Sequence, residues 1–229
     1  MDLISRASIT QASIPASAAA ATPLTRNRIN RLWAELPHSF RQLEVAPDDS
    51  FARFYAGSQE TGLTIQPPHL HLTRLPEDGG LELETEALAD DAQGLFAGLA
   101  GLLELDVLVD VRIRQVYNVP VADEPGAARD LIEAHMFGLT EHDLSELQSG
   151  EDGTQWSAAR FVVPRGTDTY TLNIEPMLFD EMRSIYIDLD AQFPGPSAPD
   201  SFDERIRDAR HYIEGPVTSY LERLTARGN

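Results

Sequence analysis

Alternation of apolar and polar residues marks several strands in this chain, and the longest such run is residues 106–121, DVLVDVRIRQVYNVPV. Val107, Val109, Val111 and Ile113 fall on one face and Asp106, Asp110, Arg112 and Arg114 on the other, the period-two signature of a half-buried strand, which Pro120 ends. Upstream, residues 4–14 alternate weakly and predict a first strand, with a linker from Pro15 through the Ala run. Thr25 then caps a helix, RNRINRLWAEL, whose Ile29, Leu32, Trp33 and Leu36 form one apolar stripe and whose other face shows Arg26, Arg28 and Arg31. Three strands are predicted next, over 39–45, 50–56 and 63–75. Pro67-Pro68 interrupts the last, and the loss of consecutive ladder donors places it at an edge or a bulge.

The segment LELETE over 81–86 continues the alternation, and residues 87–103 carry Leu88, Leu95, Phe96, Leu99, Leu102 and Leu103 at helical spacing. Gly94, Gly98 and Gly101 weaken that helix by about 1 kcal/mol each relative to Ala and suit close packing against a sheet. Beyond the central strand, Asp123-Glu124-Pro125 opens a helix over 127–137 that buries Leu131, Ile132 and Met136 and stops at Gly138. Thr140 caps a further short helix with Leu144 and Leu147. Strands are predicted over 155–163, 169–175 and 183–192; in the last two, Tyr170, Leu172 and Ile174, and Ile185, Ile187 and Leu189, are the inward positions. Ser201-Phe202-Asp203-Glu204 reads as a capping box for a final helix reaching Thr225, lined by Phe202, Ile206, Ile213, Val217 and Leu221 and kinked at Gly215-Pro216.

Strand, helix, three or four strands and helix thus occur twice in the same order. The expectation is an α+β fold of duplicated β-α-β-β-β-α halves, residues 1–105 and 106–229, packed as a single domain. Its antiparallel curved sheet would be backed by long helices, as in TATA-binding-protein-like or helix-grip-like architectures.

Composition changes this picture little except through charge. The chain has 229 residues, no cysteine and a formal net charge of −19. That length buries a core without disulfides or a metal, and no apolar run approaches a membrane span. The N-terminus lacks a basic region followed by an apolar core, so a cytoplasmic location is expected. Residues 1–47 hold Arg6, Arg26, Arg28, Arg31 and Arg41 against Asp2, Glu35 and Glu44, and the remainder carries the acidity. An acidic body repels a polyanion, so nucleic acid is a poor partner and a protein with a basic surface a better one. Every basic residue is arginine and none is lysine, which a G+C-rich genome, or avoidance of chemistry at lysine amines, would produce.

Candidate chemistry is sparse. His69 and His71 share a strand face and could reach one ion, with Glu82, Glu84 or His38 as a third ligand, but two ligands do not make a site. Asp188 and Asp190 share a face, as do Asp106 and Asp110 with Arg112 and Arg114; cross-strand ion pairs account for them as well as acid/base work does. No Gly-x-Ser-x-Gly elbow or phosphate-loop Lys-Ser/Thr occurs. No catalytic, cofactor-binding or metal-binding residue is therefore assigned.

The strand VRIRQVYNVPV with Tyr117-Asn118 at its end, the strand IYIDLDAQF followed by a polar turn, and the final helix around Ile206, His211 and Ile213 together span about half the chain. In these features it resembles a sporadically distributed family of bacterial proteins of similar length with no established activity. The resemblance implies a duplicated α+β fold in a bacterial cytoplasmic protein and no catalytic residue. The functional expectation is a non-enzymatic protein-binding component: an adaptor, assembly subunit or inhibitor of a multi-gene system. The alternative is a small-molecule-binding or cyclase-like enzyme, with Tyr55, Tyr117, Tyr170 and Tyr186 lending polar handles to a pocket between the sheet and the last helix.

Overall fold

The computed structural model describes residues 8–18, 23–36, 40–55, 62–74, 92, 108–138, 157–198 and 201–227, the side chains of 8–18 and 227 excepted. It is a mixed α+β fold built on one antiparallel sheet. Its strands are β1 (Ser8–Ala18), β2 (Gln42–Val45), β3 (Ala52–Tyr55), β4 (Gly62–Gln66), β5 (His69–Arg74), β6 (Leu108–Val109), β7 (Val111–Pro120), β8 (Ala159–Arg165), β9 (Asp168–Pro176) and β10 (Ser184–Phe193). The order across the sheet is β2-β3-β4-β5-β1-β7-β10-β9-β8, with the short β6 paired to β1. Helix α1 is Arg26–Glu35; α2 is Ala127–Asp130, continued by a π-helical turn over Leu131–Met136. Helices α3 (Phe202–Tyr212) and α4 (Thr218–Arg227) are joined by a second π-helical turn, Ile213–Val217.

Register explains where the core lies. In the first half Phe54 pairs with Leu63 and Leu63 with Leu72; in the second Ile113 pairs with Ala191, Ala191 with Tyr170 and Tyr170 with Val163. Side chains one residue on point to the opposite face, so these rows fix one apolar surface. The helices cover it: Trp33 of α1 stacks on Phe54 at 5.9 Å, Tyr212 of α3 meets Tyr170 edge-on at 5.0 Å, and Tyr220 of α4 meets Phe161 at 6.1 Å. Phe202, Ile206, Ala209, Ile213, Val217, Leu221 and Leu224 are all buried, one stripe carried through α3, the π turn and α4.

Several local expectations are corrected. The first strand continues through Pro15 to Ala18, so the opening residues of the predicted linker belong to the sheet, while residues 19–22 lie outside the described residues; β1 pairs with β5 on one side and β7 on the other. Pro67-Pro68 is neither edge nor bulge. It is the two-residue turn of the β4–β5 hairpin, where the missing N–H groups cost no ladder bond. The central strand is not continuous, because Asp110 has φ 52 and separates β6 from β7. Ser201 forms no capping bond to its helix; its hydroxyl donates to the Ala198 carbonyl at 2.7 Å. The irregularity expected at Gly215-Pro216 takes the form of a π turn through which the helix continues, and the Thr218 hydroxyl donates to the Ile213 carbonyl at 2.6 Å. Of the helix predicted over 87–103, Ala92 alone lies among the described residues, helical and fully buried. The glycines Gly94, Gly98 and Gly101, the strand over 81–86 and the short helix after Thr140 fall outside them.

Candidate docking surface

The face of the sheet opposite α1 to α4 presents polar and charged side chains over its second half. Arg112 binds Asp190 through Nε (3.1 Å) and a second, closer contact of Nη2, while Arg114 binds Asp188 with Nε at 2.8 Å and Nη2 at 2.9 Å. Register sets Arg114 opposite Asp190 and Val116 opposite Asp188, so both arginines reach diagonally across β7 and β10. The aspartates are 15% and 14% exposed and the arginines 47% and 45%, which keeps the carboxylates beneath a guanidinium layer. Each bond to its aspartate raises the pKa of the arginine and outweighs partial burial, which lowers it. The aspartates that could have formed an acid/base pair are instead consumed as ion-pair partners.

At the β9–β10 end of this face the chain turns through Met177 and the 3₁₀ turn Leu178–Asp180. Glu181 and Met182 follow with φ of 59 and 62, left-handed conformations that side-chain-bearing residues seldom adopt. The turn is fastened to the start of α2: Gly126 N–H donates to the Glu181 carbonyl and Ala128 N–H to the Met182 carbonyl, both at 2.8 Å. Within it Met182 N–H donates to the Met177 carbonyl at 3.0 Å, and Arg183 N–H to Asp180 Oδ1 at 3.2 Å. This frame holds Leu178 52% exposed and Phe179 fully exposed. Beside them lies a shallow, mainly apolar hollow of about 320 Å³ lined by Glu175, Pro176, Met177, Leu178, Phe179 and Tyr186. Partial burial, and then the charge of Asp188, raises the Tyr186 pKa, so its hydroxyl stays protonated.

The other singled-out residues are dispersed. His69 and His71 stand on the exposed face of β5. Although His71 meets solvent, desolvation first and the Arg114 charge second lower its pKa. Among the described residues no group of His, Asp or Glu is placed to hold a metal ion; Glu82, Glu84, His38 and Asp106 lie outside them. The four tyrosines do not converge. Tyr117 and Tyr170 face the helices, whereas Tyr186 lies on the opposite face and Tyr55 is covered by Arg53, 5.4 Å from its ring centroid. Tyr117 donates to Gln115 Oε1 at 2.7 Å within the core. Phe202, Ile206 and Ile213 are buried beneath the last helix, where the small-molecule alternative places its pocket.

Compared with known proteins, the chain matches no family model and no curated protein. No helix among the described residues is long and apolar enough to cross a membrane. The Met177-Leu178-Phe179 run is not among the residues that the sequence pattern singles out. Its signal was three consecutive apolar residues in a hairpin connection, where turn chemistry calls for polar ones.

Proposed function

We propose that this chain is a non-enzymatic protein-binding component, an adaptor, assembly subunit or inhibitor in a bacterial multi-gene system, and that it docks through the β9–β10 end of its sheet. The observation that carries this reading is Phe179, fully exposed beside Leu178 on a turn fixed by hydrogen bonds to α2. An exposed aromatic on a rigid support beside an apolar hollow has the composition of an interface anchor, and pre-ordering lowers the entropic cost of binding. The occupant is a protein surface that receives Phe179 and places an apolar side chain in the hollow.

The fold reading extends in the same way to a duplication. Among the described strands, from the sheet centre outward, β1, β5, β4 and β3 on one side correspond to β7, β10, β9 and β8 on the other, each series running first long strand, last strand, then backward, with β2 and the short β6 outside the correspondence. The two first strands pair antiparallel, as a pseudo-twofold axis requires. That correspondence supports duplicated halves in the manner of the TATA-binding-protein-like folds.

Affinity purification from the native host tests the functional reading, using wild-type and Phe179→Ser baits side by side. A protein retained by wild type and lost with the variant is expected. Identical recoveries from the two baits refute docking at this site.

A further inference from the structure

Resting on that docking reading, we propose that the partner surface is basic: an apolar recess rimmed by Lys or Arg side chains that close over the carboxylates around Phe179. The end of β9 carries Glu175, the turn Asp180 and Glu181, and the segment it is bonded to Asp123, Glu124 and Asp130. Two cations stand among them, and both are already engaged. Arg183 Nη2 donates to Glu181 at 2.6 Å, and Arg129 Nη2 to Asp130 at 2.8 Å. Asp123, Glu124, Asp130 and Glu181 are exposed, while Glu175 and Asp180 are half-buried at the hollow and the turn. The apolar anchor thus sits on a turn that, together with the segment bonded to it, carries surplus negative charge, on a chain whose net charge is −19. The ladder of Arg112 and Arg114 does not offset this surplus, because its guanidiniums are tied to Asp190 and Asp188. Such a surplus steers a cationic surface to the anchor and repels an acidic one.

The test uses a random peptide display library panned against the wild-type protein and counter-selected on Phe179→Ser, which isolates peptides that need the anchor. Those peptides are expected to pair an apolar residue with net positive charge. Their affinity should fall about tenfold between low and physiological salt as the carboxylate charges are screened. It should fall several-fold on the doubly neutralised variant Asp123→Asn/Glu124→Gln, whose altered side chains are exposed. Phe179-dependent peptides that are neutral or acidic, or indifferent to salt and to that variant, overturn the basic partner while leaving docking at the hairpin intact. Failure to isolate any Phe179-dependent peptide overturns both.

Discussion

Replacing Tyr117 by Phe tests how a polar pair is accommodated in the core. Gln115 is fully buried and Tyr117 is 3% exposed; the phenol donates to Gln115 Oε1, and Gln115 Nε2 has no acceptor among the described residues. Removing the hydroxyl leaves the whole amide unpaired. A lost buried hydrogen bond that strands its partner costs about 1–3 kcal/mol, so Tyr117→Phe should destabilise by about 2 kcal/mol and lower Tm by about 4–8 °C for a domain of this size. Gln115→Met, close in volume, strands the hydroxyl but also removes the unsatisfied amide, and should cost only about 1 kcal/mol. The double variant removes every unpaired group and should come within about 0.5 kcal/mol of wild type, so the two single effects do not add. Urea unfolding of the four proteins, monitored by circular dichroism, measures the cycle. A neutral Tyr117→Phe, or a double variant equal to the sum of the singles, would falsify the reasoning.

Burial raises the Tyr117 pKa above its ordinary 10.0. The unfolded chain therefore loses this proton first, and stability should fall as pH rises above about 10, more steeply in wild type than in Tyr117→Phe; urea midpoints on either side of that pH read the difference. His71 behaves oppositely, its pKa lying below 6.5, so the unfolded state protonates first and stability is lost as pH falls below that value. His71→Gln should flatten this slope, and an unchanged slope refutes the shift. Gly62→Ala puts a Cβ 2.8 Å from the Phe54 carbonyl oxygen, a backbone atom of the paired strand, and should cost about 1–3 kcal/mol in the same assay.

Periodicity carried most of the fold because one face of the long strands β7, β9 and β10 is buried. Tyr170, Leu172 and Ile174, and Ile185, Ile187 and Leu189, are buried as the alternation requires, and the stripe from Phe202 to Leu224 runs unbroken beneath the helices. The failures lie where tertiary context decides. Pro15 and the small residues around it give little strand signal, yet β1 is held by partners on both sides. The irregularity at Gly215-Pro216 was legible, but its form as a π turn was not. The ladder residues were legible as charges, but their diagonal pairing needed the register of β7 and β10. The exposed Leu178-Phe179 pair was hidden for a different reason. Exposure is a property of the folded surface, and an apolar residue in sequence reads by default as core.

The most direct test of protein docking at the hairpin is a photo-crosslinking amino acid placed at position 179 in the native host, with position 223 on α4 as the control. Phe179 is fully exposed, so the replacement should leave stability within about 0.5 kcal/mol of wild type; Arg223 is also exposed. A discrete adduct with one protein from position 179 and none from position 223 is the predicted result. The same adducts from both positions, or none from position 179, would contradict it.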